Sequence, residues 1–195
     1  EEFLMYQTTN FEAWLSNALA RAVAVTENTM YTSGSGTGEP EGLATGATAS
    51  GVVIKTSAQL NPEDLTAVIG KLGAGYNVTS ECAFVGANAS KWYVKNAILG
   101  GPFAYIGQPG GAPAPEFFGY PWLVSDDVAS YTTASATVVL YFGNMNYFGV
   151  VEKPGMIVQR NPYLYMATGQ IGIFASIFRG GGVLQSEAIY SVNGK

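Results

Sequence analysis

Ser33-Gly34-Ser35-Gly36-Thr37-Gly38-Glu39-Pro40-Glu41-Gly42-Leu43 sits directly behind a long amphipathic stretch and sets how the chain is laid out. Its four glycines and one proline make a multi-turn corner, because glycine takes positive φ freely and proline fixes φ. The competing reading is a phosphate cradle, and the details exclude it. A Walker loop ends in Gly-Lys-Ser/Thr, and a dinucleotide loop lies between a strand and a helix. Here the helix comes first, and Glu39 and Glu41 repel a phosphate. The segment reads as a structural corner whose backbone path is set by Gly36, Gly38, Pro40 and Gly42.

Upstream, Phe11, Trp14, Leu15, Ala18, Leu19, Ala22 and Val25 recur at three- and four-residue intervals. This predicts one helix over about 8–31, about 35 Å long, capped by Thr9 or Asn10 and stopped at Gly34. A membrane-surface helix needs a Lys/Arg face that this one lacks. Packing on a sheet is the expectation, with Trp14, Leu15, Ala18 and Leu19 lying on a strand over 171–178.

Downstream, residues 44–60 mix Ala, Thr, Ser and Gly with the strand-like Gly51-Val52-Val53-Ile54 and read as a linker between two lobes. Asn61-Pro62-Glu63-Asp64 is a helix start, with Asn at the cap, Pro in the first turn and acids beside it. Leu65, Val68, Ile69 and Leu72 form its buried face, and Gly73 and Gly75 end it. A strand over 82–85 and a short helix over 90–96 follow. Residues 107–115 read as an exposed loop that orders only against neighbouring subunits, since they offer little apolar area. From Pro121 the pattern turns to short apolar strands at 122–124, 137–142, 147–151 and 156–159. Ile171, Ile173, Ala175 and Ile177 alternate along one long strand whose other face carries Phe174 and Phe178, which predicts cover on both sides.

The 195 residues suffice for one large domain or two small, intimately packed ones. Only 12% are charged, against about 25% in ordinary soluble domains. Either neighbouring subunits cover much of the surface, since interface cores are charge-poor and aromatic-rich, or the core is large. The net charge of −5 and nine scattered basic residues disfavour a grip on nucleic acid. The chain has no histidine, the commonest general base and metal ligand. Its single cysteine, Cys82, excludes an internal disulfide and reads as a buried thiol. No run of about 20 apolar residues spans a membrane, and no signal peptide is visible. The chain opens on Glu1-Glu2-Phe3 and reads as a processed or partial chain.

Chemistry-bearing groups are sparse. Asp126-Asp127 and the Glu39/Glu41 pair are the close carboxylates, and neither forms the oxygen ladder that Ca²⁺ requires. A hydrolase would have to work through Asp126, Asp127 or Glu116 without a histidine, cysteine or basic partner. Asn77-Val78-Thr79 and Asn88-Ala89-Ser90 match the glycosylation pattern by chance, and Ser33, Ser35 and Thr37 sit on no nucleophile elbow. No catalytic, cofactor or metal residue is assigned. Arg179, inside an apolar strand, pairs either with a carboxylate of its own chain or with one of a neighbour.

Taken in order, four segments resemble the major capsid proteins of tailed bacteriophages, the Hong Kong 97-type fold. They are the helix with its Gly-x-Gly-Thr-Gly-x-Pro-x-Gly-Leu corner, Gly100-Gly101-Pro102-Phe103, the stretch Phe118-Gly119-Tyr120-Pro121-Trp122-Leu123-Val124, and the tail from Gly169 through Arg179 to Leu184 with Glu187-Ala188. Where many relatives carry Gly-Asp-Phe, this chain reads Gly143-Asn144-Met145. The resemblance implies an α+β fold with a spine helix on a β-sheet in a peripheral lobe (1–50 and 155–180), and a mixed α/β axial lobe (58–153 and 181–195). It gives structural roles to Gly36, Gly38, Pro40, Gly42, Gly119, Pro121 and Arg179. The family's N-terminal arm and extended hairpin precede this stretch and are absent from it. A self-assembling shell subunit follows, forming pentamers and hexamers of a virion that enclose double-stranded DNA without specific binding, with no cofactor and no membrane. It would assemble in the bacterial host cytoplasm. An encapsulin-like compartment shell and a small carboxylate hydrolase are the alternatives.

Overall fold

The computed structural model describes residues 11–54, 60–98, 116–131, 137–153, 155–169 and 171–194. The start of the first helix, residues 100–103 and the 107–115 loop lie outside the described residues. Helix α1 (Phe11–Ser33) is followed by α2 (Leu43–Gly46), strand β1 (Thr48–Val53), α3 (Pro62–Ile69), β2 (Cys82–Gly86) and α4 (Asn88–Ile98). Then come β3 (Glu116–Phe117), β4 (Tyr120–Val124), β5 (Val138–Asn144), β6 (Phe148–Glu152), β7 (Ile157–Asn161), β8 (Gly172–Ser176), β9 (Arg179–Val183) and β10 (Ile189–Asn193).

One six-stranded sheet organises the core, in the order β1-β10-β5-β2-β4-β3. β5 lies in its middle, antiparallel to both β10 and β2, and all but its first residue are buried. On one face, Leu65 and Val68 of α3 and Val94 of α4 meet Phe84, Leu140, Phe142 and Val192. Aromatic rings fill that layer: Phe84 lies 4.5 Å from Phe142 and 5.7 Å from Trp122, centroid to centroid. Leu43, Val85, Val128, Tyr141, Ala188 and Ile189 cluster separately. Helix α3 starts as the sequence predicts: the Asp64 carboxylate accepts the Asn61 N–H at 3.0 Å. It closes at Ile69, ahead of Gly73. Cys82 is buried, and burial pushes its thiol pKa up, so it is an inert core residue.

Two expectations need correction here. Residues 44–60 are no mere linker, because β1 pairs in parallel with β10 along the sheet edge. Its small residues hide a strand held by pairing, with a register shift where Gly51 takes φ +70. The predicted long strand after Gly169 divides in two. β8 pairs with β7, β9 pairs with β6, and the chain changes partner at Ile177-Phe178.

The corner is a contact between backbones. The Gly42 N–H reaches the Gly34 carbonyl at 2.9 Å, and the Glu41 N–H reaches that of Gly181 in β9 at 2.8 Å. A Cβ on Gly34 would collide with the carbonyls of Pro40 and Met30, and one on Gly42 would lie 2.5 Å from the Gly34 nitrogen. Gly36 and Gly38 instead need glycine for their φ of +77 and +74.

Gly42→Ala therefore costs about 2–3 kcal/mol, because only backbone could yield to the methyl. Gly38→Ala costs about 1 kcal/mol from φ alone, having open space around it. Calorimetry of the two variants should show Tm falling by roughly 5–10 °C and 2–4 °C respectively. Equal losses would contradict the close-approach account.

Candidate functional site

The last two turns of α1 are clamped from two sides. Arg179, which opens β9, donates through Nη1 to Glu27 Oε2 of α1. Its Nη2 lies 3.2 Å from Glu152 Oε1, at the end of β6 and opposite it in register. One guanidinium thus joins a helix carboxylate to a cross-strand carboxylate, and both belong to its own chain. The Glu27 limb is the interior one, at 17% side-chain exposure against 48% for Glu152. Tyr31, one turn after Glu27, stands edge-on to Phe148 of β6 at 5.7 Å. Burial pushes its phenol pKa up, and the Glu27 charge adds to this. Glu27 Oε1, the Tyr31 hydroxyl and Arg179 Nε are buried without a hydrogen-bond partner among the described residues, so the seam carries a desolvation cost.

On the other flank, Asp127 accepts from Asn28 Nδ2 at 2.6 Å and from the Thr29 hydroxyl at 2.9 Å. The Ser125 and Thr32 hydroxyls, both on buried residues, meet at 3.1 Å. Asp126 and Asp127 are exposed on a turn, and Asp127 serves as an anchor for α1.

The sequence-singled residues are not gathered into one reactive cluster. Glu39 accepts the Ser35 N–H at 2.8 Å within the corner, which holds its carboxyl below the usual range. Glu41 turns toward Gly182 of β9. Glu116 belongs to β3, the far edge strand of the six-stranded sheet. An open cleft of about 670 Å³ is lined by Gly36, Glu39, Pro40, Glu41, Arg179 and Gly181, among others. It holds the Glu39 and Glu41 carboxylates and a guanidinium already paired with Glu27 and Glu152, with no histidine to act as base. No group of three metal-binding side chains occurs among the described residues. No helix among them is long and apolar enough to cross a membrane. Gly119 takes φ +84 in the β3–β4 turn, and Pro121 follows as an exposed β4 residue.

The outer apolar surface differs from expectation. Helix α1 runs unbroken to Ser33, but Trp14 is 61% exposed, Ala18 is exposed, and Leu15 and Leu19 are half-buried. The strand near α1 is β9 rather than β8, because the chain changes partner at Ile177-Phe178. Ile173 and Phe174 point to opposite faces of β8 and both are exposed, so neither face is covered by the described residues. Ile157 and Val158 of β7 and Tyr163, Leu164 and Met166 beyond it are exposed as well. Sequence reasoning missed Glu27, Glu152 and Asp127 as anchors. The available signal was Glu27 itself, a lone acid on the otherwise uncharged second half of α1.

A double-mutant cycle between Glu27→Gln and Arg179→Leu should return a coupling of about 1–3 kcal/mol, as expected of a charge-assisted bond with one partner desolvated. The Glu152→Gln cycle should return under about 1 kcal/mol and vanish in high salt. Equal, salt-sensitive couplings would contradict an interior Glu27 limb.

Comparison with solved structures places this geometry. The capsid of an empty GTA particle superposes with TM-score 0.80 at 22% identity, covering 94% of this chain and 72% of that one. The Mycobacterium phage Ogopogo structure gives TM-score 0.66 at 16% identity, over 95% and 68% of the two chains. The holo-SrpI encapsulin of Synechococcus elongatus PCC 7942 gives TM-score 0.63 at 12% identity, over 96% and 66%. No curated protein matches in sequence. These likenesses establish the fold, the α+β Hong Kong 97-type. A match to the phage capsid family spans residues 1–194, and the chain belongs to that family of shell-forming structural proteins.

Proposed function

We propose that this chain is the major subunit of an icosahedral phage or prophage head, arranged as pentamers and hexamers around double-stranded DNA. The observation that carries the reading is a well-filled six-stranded core beside apolar side chains of α1, β7 and β8 that are exposed among the described residues. A subunit reused in many symmetric contacts needs such surface, and a monomer seldom leaves it open. The DNA is enclosed without specific binding: with nine Lys and Arg and a net charge of −5, the chain has little with which to hold phosphates. The subunit has no catalytic role, needs no cofactor or membrane, and assembles in the bacterial host cytoplasm.

Two lobes divide the work. The peripheral lobe takes residues 1–50 and 155–180, and the axial lobe takes 58–153 and 181–195. The seam runs through β1 and the β6–β9 ladder. In this division Gly36, Gly38, Pro40, Gly42, Gly119, Pro121 and Arg179 are structural positions. The 107–115 loop belongs to contacts around a symmetry axis.

Negative-stain electron microscopy of the full-length protein should show closed isometric shells. A monodisperse subunit with no particles at any concentration would contradict the reading. Nuclease-protected double-stranded DNA inside the shells supports a phage head. Protein cargo without DNA would instead favour a compartment shell like the encapsulin.

A further inference from the structure

The chain leaves the six-stranded sheet for the β6–β9 ladder within three residues, and Asn144 stands at that crossing. It ends β5, and the 3₁₀ turn Met145–Tyr147 leads straight into β6. The residue is 1% exposed, and both ends of its amide are used. Nδ2 donates to the Tyr76 carbonyl at 3.1 Å and to Glu81 Oε2 at 2.8 Å. Oδ1 accepts the Asn146 N–H at 3.0 Å and so caps the turn. The Glu81 carbonyl also accepts the Met145 N–H at 3.0 Å. One side chain thus ties the segment before β2 to the end of β5 and the entry to β6.

The backbone around it has little room to adjust. A Cβ on Gly143 would lie 2.2 Å from the Ala188 carbonyl oxygen, so the strand is pressed against the chain entering β10. Tyr147 stands edge-on to Tyr76 at 5.2 Å, and its carbonyl accepts the Leu184 N–H at 2.8 Å, just past β9. The residue type is equally constrained. Two acceptors, one of them a carboxylate, converge on Nδ2, while an N–H faces Oδ1. Only a neutral carboxamide donates at one end and accepts at the other. An aspartate would set a second carboxylate against Glu81 in a site closed to water, where like charges repel most strongly. The other titratable groups at this contact are the Cys82 thiol and the Tyr76 and Tyr147 phenols, and none of them is cationic.

We propose that Asn144 is the positioning residue of this joint: its neutral amide, matched to Glu81, fixes the β6–β9 ladder on the core sheet. The placement of α1 passes through the same amide, because Arg179 of that ladder holds Glu27. A carboxylate at this position loosens the ladder at neutral pH and lets it close again in acid.

The test compares Asn144→Asp, Glu81→Gln and the double variant in the full-length protein, with every readout on the subunit, so the result stands whether or not shells form. At pH 7, Asn144→Asp should lower Tm by roughly 5 °C or more. Amide exchange in β6 and β9 should quicken by roughly tenfold or more, while α4 and β4 stay as in wild type. Near pH 4 one of the two facing carboxyls takes a proton and donates it to the other, so the gap to wild type should narrow. The sign follows because the folded pair holds that proton more tightly than the unfolded chain does. Adding Glu81→Gln supplies a donor to the aspartate and should recover at least half of the lost Tm and remove the pH dependence. Wild-type Tm and exchange in Asn144→Asp at pH 7 would overturn the inference. A loss that is equal at both pH values and unrelieved by Glu81→Gln would overturn it too, because charge would then not be the cause. Faster exchange in α4 and β4, in step with β6 and β9, would make Asn144 an ordinary core residue. If Asn144→Asp does not fold at pH 7, either acid or Glu81→Gln must restore folding, and failure of both refutes the proposal.

Discussion

Backbone meets backbone at the corner after α1, and the outer half of the molecule depends on that contact. Gly34 and Gly42 bring two chain segments closer than any side chain allows, and Glu41 then bonds to Gly181 of β9. At Gly181 a side chain would meet the Gly149 carbonyl oxygen at 2.9 Å, so β6, β9 and the corner share one glycine-lined junction. This junction fixes the direction of α1 relative to the β6–β9 ladder. The Arg179 ion pairs and the Asp127 hydrogen bonds then hold the helix at that angle.

The molecule is accordingly uneven. The six-stranded sheet carries buried aromatic and aliphatic layers of the kind that make a domain stable by itself. The β7–β8 ladder is two-stranded with exposed apolar side chains, an arrangement that is marginal in isolation. Belonging to a shell-forming family gives this a physical sense. On the proposed reading, the core supplies the folding stability of each copy, and neighbours would complete the outer ladder and the first turns of α1. On that reading the low charge content would serve the same end, because a surface that is to be buried gains nothing from ions it must desolvate.

Local signals in the sequence were legible wherever a short segment decides its own structure. The Asn61-Pro62 start, the buried strand at Cys82 and the glycine corner were all readable from a few residues. Of β1 only the end, Gly51-Val52-Val53, looks strand-like, because Thr48-Ala49-Ser50 has weak strand character and is held by its pairing with β10, far along the chain. The division between β8 and β9 was hidden for a related reason. Alternating apolar residues continue across Ile177-Phe178, and only the change of pairing partner marks the break. The apolar stripe of α1 and the alternation along β8 read as surfaces packed on each other, whereas Trp14, Ile173 and Phe174 are exposed among the described residues. Arg179 could be singled out as an unusual charge, but Glu27 and Glu152 stand 152 and 27 residues from it in sequence, and spacing alone could not choose them.

Amide hydrogen exchange on the full-length protein, assembled and dissociated, tests most directly whether the outer layer is completed by neighbours. In the dissociated subunit the β7–β8 ladder and the first turns of α1 should exchange fast, while β2 and β5 stay protected. Assembly should slow β7, β8 and the start of α1 by roughly tenfold or more and leave β2 and β5 unchanged. If β7 and β8 are as protected in the free subunit as in the particle, the chain covers its own outer layer and the account is wrong.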